Sequence, residues 1–183
     1  ERRSRAVVKA CEASATVAGD AGVAVAPLCV VFAFRESRYV EDAEGDWICK
    51  RGRLRRVAQQ VGRDKWQRSS FRCETGWTLV PQAFGAFQMH IETLRAGRDA
   101  CGVPGADDPA LVAHAKTYAG GACLFAASIA RNLDAVGRRF PRLRGVERLA
   151  ASASSHIVGW TRTGGRKGWS RARWAWAHAE HGP

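Results

Sequence analysis

The stretch that most constrains this chain runs Ala26-Pro27-Leu28-Cys29-Val30-Val31-Phe32-Ala33-Phe34-Arg35-Glu36-Ser37-Arg38-Tyr39. Pro27 suits the first turn of a helix, where its missing N–H is not needed, and Leu28 to Phe34 are apolar all round the helical wheel. This pattern predicts a central, buried helix running to about Arg38. Glu36 then leaves the last turn at the rim of an apolar core, where desolvation favours the protonated carboxyl. A carboxyl group that keeps its proton near neutral pH is what general-acid chemistry requires. The plainer reading is that Glu36 pairs with Arg35 or Arg38 at a helix end.

A chain of 183 residues that is 46% hydrophobic and 25% charged has the length and composition of one globular domain with a sizeable core. The expectation is a single domain over residues 1–183, with its motif-bearing core at about 21–165 and a basic Trp/Arg-rich segment at 166–183. No apolar run approaches the roughly 18 residues of a membrane span, because the longest, around residues 21–34, contains Pro27 and ends in charge. The first residue is Glu1 rather than methionine, so the chain is expected to be processed or an excerpt, with any export signal outside it.

Lysine and arginine number 29 against 17 acidic residues, for a formal charge of +12. An anionic partner follows, and nucleic acid, anionic lipid and the bacterial wall all qualify. Arginine greatly outnumbers lysine, which favours forked contact with carboxylate or phosphate.

Six cysteines, at 11, 29, 49, 73, 101 and 123, permit three disulfides in an exported protein. Their spacing suits neither a CxxC pair nor a zinc finger, so zinc is not expected. Pairing in sequence order, Cys11 to Cys29, Cys49 to Cys73 and Cys101 to Cys123, would staple three local loops; buried free thiols are the alternative.

Along the chain, Ser4 to Thr16 reads as a helix and Gly19 to Gly22 as a turn into the apolar helix. Residues 40–80 change character. Glu41, Asp42, Glu44 and Asp46 are acidic, Lys50 to Arg56 is basic, and Trp47, Trp66 and Trp77 are interspersed. This predicts a long irregular excursion with a short helix at Arg53 to Gly62, where Leu54, Val57, Ala58 and Val61 keep a three-to-four spacing. The remainder reads as loop and short strand, which the tryptophans mark as ordered.

Gln82-Ala83-Phe84-Gly85-Ala86-Phe87-Gln88-Met89-His90-Ile91 is the second informative stretch. An apolar helix ending in Glu-Ser, a variable segment, and then Gly-Ala-Phe-Gln resembles the lytic transglycosylase and goose-type lysozyme superfamily. There the Glu-Ser pair carries the catalytic acid, and a Gly-Leu-Met-Gln type motif lines the glycan cleft. The resemblance implies a mainly α, lysozyme-like domain in which Glu36 is the acid and Ser37 supports it. Gly85, Phe87 and Gln88 then form one wall, and His90, Tyr118 and His156 are further substrate-binding candidates.

Helices are expected at Ala110 to Tyr118 and at Gly121 to Phe140, the second ended by Pro141. The latter resembles the family's long helix after the cleft motif. Glu147 to Gly159 reads as an Ala-rich helix ending in Ser155-His156-Ile157-Val158-Gly159, where the family usually carries Ala-Tyr-Asn-Ala-Gly. Only the glycine matches. The Trp/Arg alternation of 169–178 suits stacking on sugars, bases or a membrane surface, or a last helix with its tryptophans on the core.

The implied activity is cleavage of the β-1,4 bond between N-acetylmuramic acid and N-acetylglucosamine in peptidoglycan, by an exported monomer that needs no cofactor. An inverting hydrolase requires a second carboxylate about 6.5–9.5 Å from the acid. Val80 to Phe84 contain no acidic residue and His90 stands two beyond Gln88, so Glu74 is the nearest preceding candidate, while Asp42 and Asp46 follow the acid closely and read as solvated. The count favours a lytic transglycosylase giving 1,6-anhydromuramyl ends, with a hydrolytic goose-type muramidase as the alternative. A non-catalytic wall-binding protein and a nucleic-acid-binding domain remain as rivals. The second is disfavoured because no helix-turn-helix, zinc or RNA-recognition signature occurs.

Overall fold

A computed structural model describes residues 1–45, 47–51, 54–56, 76 and 78–158, with the backbone alone described at 20–23, 48–51, 54–56, 79, 146 and 154–158. The fold is mainly α. In order come α1 (Arg2–Ser14), a 3-10 segment (Ala15–Ala21), α2 (Gly22–Ser37), β1 (Glu44–Gly45), β2 (Ile48–Arg51), β3 (Leu54–Arg56), β4 (Thr78–Val80), β5 (Ala83–Phe84), β6 (Met89–His90), α3 (Ile91–Gly97), α4 (Asp108–Ala115), α5 (Tyr118–Arg139) and α6 (Gly145–Val158).

The helix at the centre is α5. It packs against α1, α2, α3, α4 and α6, and Gly120, Ala122, Leu124, Phe125, Ala126, Ile129 and Val136 are all buried along it. The apolar helix α2 is less enclosed than its composition predicts. Val25, Leu28, Cys29, Phe32 and Ala33 join the core, but Val31 is 41% and Phe34 43% exposed. A helix that packs through one face leaves the other uncovered, whatever its composition. Pro27 also lies inside α2 rather than in its first turn, because the helix begins at Gly22.

Thr117 divides α4 from α5. Its hydroxyl accepts the Gly120 N–H at 3.0 Å, an N-cap that makes Tyr118 the first residue of α5 rather than the last of the preceding helix. Asp107 caps α4 in the same way through the Ala110 N–H at 2.9 Å. Arg95 forks onto both carboxylate oxygens of Asp108, at 2.9 and 2.7 Å, and joins α3 to α4. That bond holds the Asp108 carboxyl below the usual carboxylate range.

Among the described residues, two small antiparallel sheets lie between α2 and α3 in the sequence. One has the order β3-β2-β4 and the other β1-β5-β6. The helix expected from Arg53 to Gly62 is replaced at Leu54–Arg56 by β3, paired with β2 so that Lys50 faces Arg55 and Arg51 faces Leu54. Pairing across a sheet overrides a weak helical spacing. Residues 57–62 lie outside the described residues.

Among the described residues two disulfides form, Cys11–Cys29 between α1 and α2 and Cys101–Cys123 onto α5. Both follow the sequence-order pairing; Cys73 lies outside the described residues. Two such bonds suit an oxidising, extracytoplasmic setting. No helix among the described residues is long and apolar enough to cross a membrane.

Candidate active site

Glu36 stands half-buried on the last turn of α2, and the chain leaves that turn in an uncommon way. Arg38 and Tyr39 both have left-handed backbone, with φ of 53° and 63°. Neither is glycine, so each costs on the order of 1–2 kcal/mol. Ser37 holds the turn. It is fully buried, its hydroxyl donates to the Ala33 carbonyl at 3.0 Å, and its oxygen accepts the Val40 N–H at 3.1 Å. The Ala33 carbonyl also accepts the Tyr39 N–H, at 3.2 Å.

The start of α5 clamps the same turn. Tyr118 donates its hydroxyl to the Tyr39 carbonyl at 2.8 Å, and its backbone N–H donates to Glu41 Oε1 at 2.8 Å. Burial, and then the nearby Glu41 charge, raise the Tyr118 phenol above the ordinary tyrosine range. Lys116, just before α5, pairs with Glu44 of β1 at 2.5 Å.

The second motif is a hairpin. β5 and β6 pair through Ala83 with His90 and Phe84 with Met89, and Gly85 to Gln88 form the turn. Gly85 has φ of +73°, and a Cβ there would strike the Ala115 carbonyl oxygen, so only glycine fits without displacing backbone. The Gly85 N–H donates to the Ala43 carbonyl at 2.8 Å, and β5 pairs with β1. Gln88, with φ of 49°, is the remaining non-glycine residue of left-handed backbone among the described residues. Its amide donates to the Gly85 carbonyl at 3.0 Å, and its Oε1 lies against Gly45.

One ring ties the two motifs together. Phe125 of α5 packs against Phe32, one turn before Glu36, with centroids 5.0 Å apart, and stacks on Phe87 of the hairpin at 5.2 Å. Phe87 is 1% exposed. Its side chain therefore belongs to the core and supports the hairpin from beneath rather than facing a ligand. Gln88 is half-buried and His90 exposed.

The expected residues are thus placed unevenly. Glu36, Ser37, Gly85, Gln88 and Tyr118 belong to one connected framework through β1, the clamp and the Phe125 ring. Tyr118 is bonded to the turn that follows Glu36. Glu74 lies outside the described residues, as does the side chain of His156, whose backbone is in α6. The sequence offers no local signal for the Glu41 to Tyr118 and Glu44 to Lys116 contacts, because their partners are more than seventy residues apart. Among the described residues no group of three or more His, Cys, Asp or Glu side chains is placed to hold a metal ion. Comparison with protein-family models, with curated proteins and with solved structures finds no match to this chain.

Proposed function

We propose that this chain is a peptidoglycan-cleaving glycosidase, exported to the wall and acting as a lytic transglycosylase with Glu36 as its acid and base. The observation that carries the reading is the joining of the two motifs: the helix that bears Glu36 and the Gly85–Gln88 hairpin pack on the same Phe125 ring, with β1 paired to the hairpin and Tyr118 bonded to the turn after Glu36. Among the described residues, the positive-φ residues other than glycine, Arg38, Tyr39 and Gln88, all lie in those two segments. Strain concentrated in this way is characteristic of functional sites. The two disulfides and the +12 charge fit work outside the cytoplasm on an anionic polymer.

In this mechanism Glu36 gives its proton to the glycosidic oxygen as the muramyl C1–O bond breaks. The resulting carboxylate then takes the proton of the muramyl C6 hydroxyl while that oxygen bonds C1. The acid is restored and no water is consumed. Two carboxylates that follow Glu36 are already engaged, Glu41 with the Tyr118 N–H and Glu44 with Lys116, which favours the single-carboxylate route. A zymogram on purified peptidoglycan, run with wild type and Glu36→Gln beside a duplex-DNA shift assay, tests the reading. Clearing by wild type alone is expected; binding of DNA without any clearing would replace the glycosidase by a nucleic-acid-binding protein.

A further inference from the structure

The C-terminal end of α5 and the link to α6 carry a concentration of arginine that the candidate site does not use. Between residues 131 and 148 stand Arg131, Arg138, Arg139, Arg142, Arg144 and Arg148, against Asp134 and Glu147. Arg138, Arg139, Arg142 and Arg144 are exposed, and none of the four pairs with a carboxylate among the described residues. Asp134 stands four residues before Arg138, a spacing that permits an ion pair, yet the two are not paired.

The link itself is ordered. Phe140 N–H donates to the Val136 carbonyl at 2.7 Å, and Leu143 N–H to the Phe140 carbonyl at 3.0 Å. The Arg139 guanidinium lies over the Phe140 ring, 5.7 Å from its centroid, and Arg144 bonds back to the Pro141 and Leu143 carbonyls. Two guanidinium groups are therefore held by the link while Arg138 and Arg142 project without an intramolecular partner among the described residues. Guanidinium forks match carboxylate and phosphate geometry, and a fixed presentation lowers the entropy lost on binding.

The position of the patch narrows its partner. Tyr118, at the candidate site, begins α5, and Arg138 and Arg139 end it, about 30 Å away along a helix of 22 residues. A small anionic substrate cannot engage both ends, whereas a polymer with repeated anionic groups can. We propose that Arg138, Arg139, Arg142 and Arg144 form an anchoring surface for the anionic groups of the bacterial wall, separate from the cleft that cuts it. The shared chemistry is a row of carboxylates or phosphodiesters, supplied by stem peptides or by wall-attached phosphate polymers. The glycosidase reading enters only in choosing the wall over other polyanions.

The test is co-sedimentation of the full chain with purified wall sacculi across a salt series, in the Glu36→Gln background so that the wall stays intact. Arg138→Gln, Arg139→Gln and Arg142→Gln are combined, and the control combines Arg2→Gln, Arg5→Gln and Lys9→Gln, which removes the same charge from α1. The patch variant is expected to bind at least tenfold more weakly at low salt, with a log–log salt slope shallower by about two to three. The control should lose less than threefold. Sacculi stripped of phosphate polymers show which source supplies the anion, since patch-dependent binding to either form supports the surface. Equal losses in patch variant and control would overturn it, as would wild-type binding by the patch variant. Tighter patch-dependent binding to duplex DNA than to sacculi would overturn the choice of partner. Patch-dependent wall binding by a chain whose wild type never cuts the wall would leave this surface standing and remove the glycosidase reading.

Discussion

The hydroxyl of Tyr118 donates to the backbone carbonyl of Tyr39 across 2.8 Å, fixing the start of α5 to the turn that follows Glu36. That turn contains two successive left-handed residues, so a contact that holds it also sets the direction in which Glu36 leaves its helix. Tyr118→Phe keeps the ring and removes the bond. Loss of one such hydrogen bond costs about 1 kcal/mol, or about 2–4 °C of melting temperature for a chain of this size. Wall cleavage should fall further than that loss of stability accounts for. Unchanged kcat with a lowered melting temperature would mean that the bond stabilises the fold without positioning the site.

The same residue sets an alkaline limit. The Tyr118 phenol is raised in the folded state, so its contribution is fully present below the ordinary tyrosine range near pH 10 and is lost as pH rises through the folded value. Unfolding followed from pH 8 upward should show a steeper alkaline loss in wild type than in Tyr118→Phe. Superimposable profiles would contradict this.

Two glycines of the candidate site should respond differently to alanine. At Gly85 a Cβ meets the Ala115 backbone and the φ is left-handed, so Gly85→Ala should destabilise the chain by about 1–3 kcal/mol or more. At Gly45 the new Cβ meets only the end of the Gln88 side chain, which can rotate away. Gly45→Ala should therefore cost little stability but displace the Gln88 amide and reduce cleavage. Denaturant unfolding and activity measured on both variants separate the two effects.

Reduction should weaken the fold more than any surface change. Cys11–Cys29 and Cys101–Cys123 close loops of 18 and 22 residues, each corresponding to about 3 kcal/mol of chain entropy. Replacing either pair by serine should lower unfolding free energy by about that amount. Non-reducing mass spectrometry should find these two bonds together with a third, Cys49 to Cys73; free thiols at those two positions in protein made under oxidising conditions would refute the third.

Local chemistry made part of this architecture readable. The run from Leu28 to Phe34 announces a helix, because its signal lies within a few residues. The exposure of Val31 and Phe34 was hidden, since composition says that a segment is apolar and not how many neighbours will cover it. The strand at Leu54–Arg56 was hidden too, because its stability comes from pairing with Ile48–Arg51 rather than from its own basic residues. Phe87 was legible as part of a motif, but its place under Phe125 depends on a helix that begins thirty residues later. Tyr118 was legible as a candidate, while its bonds to Tyr39 and Glu41 arise only from the tertiary fold.

The central claim is that Glu36 transfers the proton in wall cleavage, and mass spectrometry of the soluble muropeptides released from purified peptidoglycan tests it most directly. Wild type should release 1,6-anhydromuramyl products, and Glu36→Gln should release them on the order of 10²–10⁴-fold more slowly while unfolding at the wild-type midpoint. Products heavier by one water, with reducible muramyl ends, would convert the reading to a hydrolase and make Glu74 the next residue to replace. Release by Glu36→Gln at the wild-type rate would contradict the account.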